Sequence, residues 1–286
     1  VVTSIAPAVP GLSVRTVEAG ARLELTNRTG RSIEVLGYSG EPYLDVRPDG
    51  TYENVNSPAV YLNQTLTGDN PVPATASPTT PPAWRRVSTS TTVRWHDQRT
   101  HWLSPGTPPV AAADPSRTHR LRDWSVPLRT EVTDFAIRGT LDWVPPPIGW
   151  LWWAGAALLA LAVTAAGRRF TRPVALVGGL SVLGYDVVRT LDGNGFSAFL
   201  VIPAVAALAT LRYSGGLAVA LAGTLLAVFG GLSQLAAFQA AVLPAAGPAV
   251  LSRAAVLIAL GAGTGMLLTG LARLRTPAPA ALPSSA

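Results

Sequence analysis

The sequence predicts an all-β sandwich in the first half of the chain, followed by an α-helical transmembrane bundle of five helices. Three observations lead to this. After residue 147 the chain carries apolar runs of 16 to 27 residues separated by short polar connections. Such lengths match a bilayer hydrocarbon core of roughly 30 Å. Before residue 148 there is no 3.6-residue periodicity, only short alternating stretches broken by Gly, Asn and Thr. Charge divides at the same place. Residues 1–150 hold 14 Arg and 14 Asp plus Glu, whereas the rest holds 8 Arg and only two acids, Asp186 and Asp192.

Strands are expected at Leu12–Val17, Ala21–Thr26 and Ser32–Leu36, then at Tyr43–Val46 and Thr51–Val55 on either side of the Pro-Asp-Gly turn at 48–50. Further strands are expected at Val87–His96 and Phe135–Trp143. Seven to nine strands in 145 residues imply two packed sheets. Residues 64–83 and 104–118, rich in Pro, Thr and Ala, are expected to run over the surface. The resulting division is a β-sandwich over 1–144, a membrane domain over 145–275 and a disordered tail over 276–286. The expected spans are 148–167, 173–191, 196–211, 217–243 and 254–272. Pro145, Pro146 and Pro147 make a stiff spacer, and Trp143, Trp150, Trp152 and Trp153 an interfacial belt.

A net charge of +6 and a pI near 10.4 would ordinarily point to nucleic acid. Here the excess lies wholly in the apolar half. Arg168, Arg169, Arg172, Arg212, Arg273 and Arg275 fall on one expected side of the membrane. Arg189 and Arg253 fall on the other, with both acids. This is the positive-inside pattern, a signal of topology. It argues against a nucleic-acid partner, places the C-terminus in the cytoplasm and puts the β-domain outside the plasma membrane. Because the sequence opens at Val1, an upstream signal segment is expected. The spans contain no His, Glu or Lys, so they read as an anchor or docking surface rather than an ion pathway. Asp186 is expected to pair with Arg189, three residues on. The many glycines, including Gly261, Gly263 and Gly265, suit close helix packing.

Without cysteine, neither a disulfide nor a thiolate metal site can form. Two of the three histidines lie in TTVRWHDQRTHW, residues 91–102. If Asp97–Thr100 close a four-residue hairpin, His96 and His101 stand opposite each other with Cβ atoms about 4.5–5.5 Å apart. They could then share Cu or Zn, with Asp97 as a third ligand and His119 as a fourth. Trp95 and Trp102 would pair on the opposite face and offer an interface. The competing reading is structural: the tryptophans hold the sheet and the histidines bond to nearby acids. Catalysis is not expected, because there is no Gly-x-Ser-x-Gly elbow and Glu41, Asp45, Asp49 and Glu53 lie around a turn.

The unit ARLELTN followed by IEV (21–27, 33–35) resembles strand pairs of immunoglobulin-like and cupredoxin-like domains, implying an Ig/cupredoxin-like sandwich. The absent cysteine excludes a blue-copper centre. The layout of a β-domain joined to a helical bundle is similar to CopC-CopD-type copper proteins, without an N-terminal histidine or membrane histidines. The stretches GEPYL (40–44), NSPA (56–59), WHDQRTHW (95–102), WSVPL (124–128) and GTLDWVP (139–145) together resemble those of uncharacterised actinobacterial envelope membrane proteins. That resemblance implies location and architecture. The expected function is a non-enzymatic integral membrane protein of the cell envelope. Its outer domain would bind a membrane or envelope protein partner, while its helices anchor it in the lipid bilayer. The alternative is an extracytoplasmic copper- or zinc-binding protein using His96 and His101.

Overall fold

The computed structural model describes residues 1–275; the expected tail at 276–286 lies outside the described residues. The chain divides into two compact units, Val1–Pro145 and a second from Pro146 onward.

In the first unit ten strands form two antiparallel sheets. The larger sheet uses β1 (Val2–Ala6), β4 (Ile33–Leu36), β5 (Pro42–Arg47), β6 (Gly50–Asn54), β7 (Trp84–Ser88), β9 (His119–Arg129) and β10 (Asp134–Trp143). Their spatial order is β1-β10-β9-β4-β5-β6-β7. The smaller sheet is β2 (Leu12–Val17), β3 (Arg22–Asn27) and β8 (Thr92–Trp95), with β3 in the middle. Period-two alternation sends Val35, Leu44, Val46, Val126, Leu128 and Ile137 into one core with Leu23, Leu25 and Trp95 of the smaller sheet. Asn27 ties the sheets together. Its amide donates to Arg31 O and, across the core, to Val46 O, while its Oδ1 accepts from the Thr29 N–H and hydroxyl.

Two sequence expectations change here. The single strand expected over Val87–His96 is two strands, one in each sheet. Ser88 and Ser90 hydroxyls accept from the N–H groups of Ser90 and Thr92, and these local bonds turn the chain from one sheet to the other. No strand is expected around His119, but β9 is an interior strand paired with β10 and β4. Its alternation (Trp124, Val126, Leu128 inward) is masked in sequence by a charged beginning and by Pro127. The stretches without strands contain two one-turn helices, α1 (Pro58–Leu62) and α2 (Pro109–Ala113), each opening with proline at its first position.

In the second unit three helical stretches are long and apolar enough to cross a membrane, Gly149–Leu191, Gly216–Phe238 and Ala249–Arg275, not the five separate spans expected. The first two expected spans run together as α3 (Gly149–Ala166) and α4 (Thr171–Leu191), joined by a 3-10 turn into one stretch of 43 residues. The expected 196–211 span gives α5 (Ala198–Ala209), only 12 residues long with Pro203 inside it. The remaining two are α6 (Gly216–Leu225), continued by a π turn and a 3-10 turn to Phe238, and α7 (Ala249–Arg275).

The 43-residue stretch is a hairpin rather than a rod. At Gly167 the backbone has φ +59° and ψ −138°, a conformation that L side chains rarely adopt and that reverses direction. Gly155 then faces Leu257 while Val163 faces Gly265, so α3 runs alongside α7 in the same direction. Gly178 faces Ala262, and Val182 meets Ala259 at Gly230, so α4 runs the opposite way. Between α6 and α7 the backbones touch: a Cβ on Gly263 would lie 2.5 Å from Ala227 N, and one on Gly223 would lie 2.4 Å from Leu267 N. Small residues permit that approach, and dispersion at short range holds it.

Gly263→Val is expected to cost about 1–3 kcal/mol or more through overpacking. Gly184→Ala, which meets nothing within 4 Å, serves as the neutral control. Thermal unfolding of the full chain in detergent should separate the two variants; equal midpoints would contradict the packing assignment.

Candidate functional site

The WHDQRTHW stretch does not make a hairpin. β8 pairs with β3 alone, and no return strand follows it. Asp97 accounts for the difference. Its carboxylate accepts from the Arg99 N–H at 3.1 Å, capping a single 3-10 turn at Gln98–Thr100, and the Thr100 N–H and hydroxyl both donate to Asp97 O. Local side-chain bonding of this kind competes with a tight β-turn, and here it prevails.

Asp97 is fully buried and saturated. Arg99 donates to both its oxygens, Nε to Oδ1 and a terminal nitrogen to Oδ2, each at 2.8 Å. Trp95 Nε1 adds a bond to Oδ2 at 3.1 Å. The Arg99 guanidinium also donates to Leu36 O and lies 5.0 Å over the Tyr38 ring. The Tyr38 hydroxyl donates to Asn63 and accepts from the Gln98 N–H. Burial first, and the Asp97 charge second, push this phenol up to about 12. The network pins the turn to the β4 end of the larger sheet. It is a structural device, since every oxygen of the carboxylate is occupied.

The two histidines do converge, on a backbone atom. His96 Nδ1 lies 2.8 Å and His101 Nε2 lies 3.1 Å from Ala21 O, at the start of β3. The second nitrogen of His96 accepts from Arg22 Nε at 3.1 Å. Asp97 points away into its arginine pair. His119 bonds to Asp114 O at 2.6 Å at the start of β9. Among the described residues no group of three or more His, Asp or Glu is gathered for a metal ion. The structure therefore does not bring His96, His101, Asp97 and His119 together as a ligand set. Nor do the tryptophans form a cross-strand pair. Trp95 is a core residue with 3% exposure, whereas Trp102 is 40% exposed and bonds to Gly106 O.

Sequence reasoning missed a cleft of about 820 Å³ on the outer face of the larger sheet. Strand register builds its floor. Asp134, Arg129, Glu34 and Asp45 line it as successive cross-strand neighbours from β10 to β5, and Tyr52 and Arg86 continue the same row to β7 outside the lining. Arg129 pairs with Glu34 at 2.5 Å and Arg47 with Asp45 at 2.6 Å, and Ser32 donates to Asp45. The Arg47 guanidinium lies 4.1 Å over the Tyr52 ring and 5.6 Å from Trp84. Glu131, Val132 and Thr133, on the β9–β10 turn, form a wall. The only sequence signal for this row was polar residues at alternate positions, which also describes an ordinary solvated face. Pairing order, invisible in sequence, lines them up.

No family model matches the chain, and neither a curated protein nor a solved structure matches it.

Two measurements test the site. Asp97→Ala leaves Arg99 buried without its partner and should lower stability by about 3–5 kcal/mol in denaturant titration. A loss under 1 kcal/mol would sink the pinning role. Burial depresses the His101 pKa below its ordinary 6.5, outweighing the bond to Ala21 O. Between the depressed value and 6.5 the unfolded chain binds a proton that the folded chain refuses. Stability is therefore full above 6.5 and falls as pH drops through that window. Unfolding midpoints measured from pH 7.5 to 5 should fall less steeply in His101→Gln than in the parent. Identical slopes would show that His101 contributes nothing to the pH dependence.

Proposed function

We propose that the chain is a non-enzymatic integral membrane protein of the cell envelope, anchored by its helical unit and presenting its β unit outside the cytoplasm to a protein partner. Sorting of charge between the two ends of the helical unit carries this reading. Arg168, Arg169, Arg172 and Arg273 line one common hollow, with Arg212 and Arg275 within two residues of its lining. At the other end Asp186 accepts from the Ser197 N–H and lies 3.9 Å from Arg189, while Arg253 donates to the carbonyls of Ala237, Ala240 and Ala241. Arginine-rich loops stay cytoplasmic, so the end holding Arg168 faces inward. The hairpin at Gly167 lets the 43-residue stretch go in and come back out, which keeps both ends of that stretch on the outer side.

The cleft on the larger sheet suits the partner. Two of its carboxylates, Glu34 and Asp45, are held by arginines, an arrangement suited to charge-complementary contact. The resemblance of several stretches to actinobacterial envelope proteins points to the same location.

The protein has no native cysteine, so single-cysteine variants report position cleanly. Val132→Cys on the β unit should react with a membrane-impermeant maleimide in intact cells, and Tyr213→Cys only after permeabilisation. The reverse labelling pattern would overturn the orientation.

A further inference from the structure

We infer that the arginine-lined end of the helical unit is a binding site for an anionic phospholipid, its phosphate held by the arginines and its acyl chain lying in an adjoining apolar groove. This rests on the membrane reading above and adds a ligand to it.

Two hollows meet at one turn. The first, of about 300 Å³, is lined by Arg168, Arg169, Thr171, Arg172, Ser214 and Arg273. It is built from three separate chain segments: the α3–α4 turn, the loop before α6 and the last turn of α7. Arg273 draws them together, donating to Ser214 O at 3.0 Å and to the buried Thr171 hydroxyl. The second, of about 240 Å³, is walled entirely by apolar side chains of α3, α4 and α7, among them Val163, Val177 and Ile258. Alternate residues of the turn serve the two hollows: Arg168, Arg169, Thr171 and Arg172 line the basic one, and Phe170 and Pro173 the apolar one.

Charge dictates the occupant. Among the described residues no acid lines the basic hollow, and the acidic side chains after residue 145, Asp186 and Asp192, belong to the opposite end. Like-charged guanidiniums gathered in one hollow repel one another, and a phosphate accepts forked hydrogen bonds from several arginines at once. A free phosphate would meet that need but would leave the apolar groove unexplained. A phospholipid of the inner leaflet presents the phosphate and the chain together, at the depth where the two hollows adjoin.

The test uses the full chain, stripped of lipid in a neutral detergent, with thermal unfolding as the readout. Phosphatidylglycerol should raise the midpoint by about 5 °C, and phosphatidylcholine should leave it unchanged. Arg168→Gln/Arg172→Gln, both exposed positions, should abolish the response. Val177→Trp, which fills the groove from an exposed site, should abolish the response to phosphatidylglycerol. Phosphatidylglycerol should also co-purify with the parent and be depleted from both variants. Equal shifts with the two lipids would overturn the inference. So would inorganic phosphate reproducing the full shift, with Val177→Trp responding like the parent, since the occupant would then be a free anion. An alkaline wash that releases the chain from membranes would instead overturn the membrane reading beneath it. A chain that resists the wash yet ignores phosphatidylglycerol overturns the lipid site alone.

Discussion

Backbone contact along α7 is the constraint on which the helical unit depends. Gly263 and Gly270 bring α7 against α6, and Gly261 and Gly265 bring it against α3. Lipid supplies no hydrophobic drive for helices to associate, so dispersion between closely approaching chains must do so. Larger side chains at these positions would separate the helices. The arginines near residues 168 and 273 would then no longer share a hollow.

The β unit solves the opposite problem, since water surrounds it and apolar burial supplies the drive. Specificity there comes from buried polar groups that are fully partnered. Asn27 links the two sheets, and Asp97 with Arg99 holds the turn after β8 to the end of β4. An isolated buried charge would be costly, but forked bonding to Arg99 and a third bond from Trp95 satisfy this one. The same saturation leaves Asp97 unsuited to chemistry. The cleft differs: Arg47 and Arg129 are partly exposed there, within reach of an incoming surface.

Much of the architecture was legible. The strands at Leu12–Val17 and Tyr43–Val46 and the pairing of Asp186 with Arg189 all follow from local pattern. What was missed shares one cause. β9 was hidden because its alternation becomes meaningful only beside β4 and β10. Trp95-His96 and His101-Trp102 flank four polar residues and so suggest a hairpin, but symmetry in sequence need not be symmetry in space. A three-residue 3-10 turn capped by Asp97 removed it.

By itself the sequence determined what each half must bury and in which solvent, because hydropathy and charge are properties of residues taken singly or in short runs. It also determined which arginines lie far along the chain from any acid. Only the tertiary structure decided which of those arginines converge, which polar residues form one row across the larger sheet and on which backbone atom His96 and His101 meet. Those outcomes depend on strand order, on the reversal at Gly167 and on contacts between residues more than a hundred positions apart, such as Arg273 and Thr171. Local pattern carries no record of such contacts, since their energy arises only when distant segments are packed together.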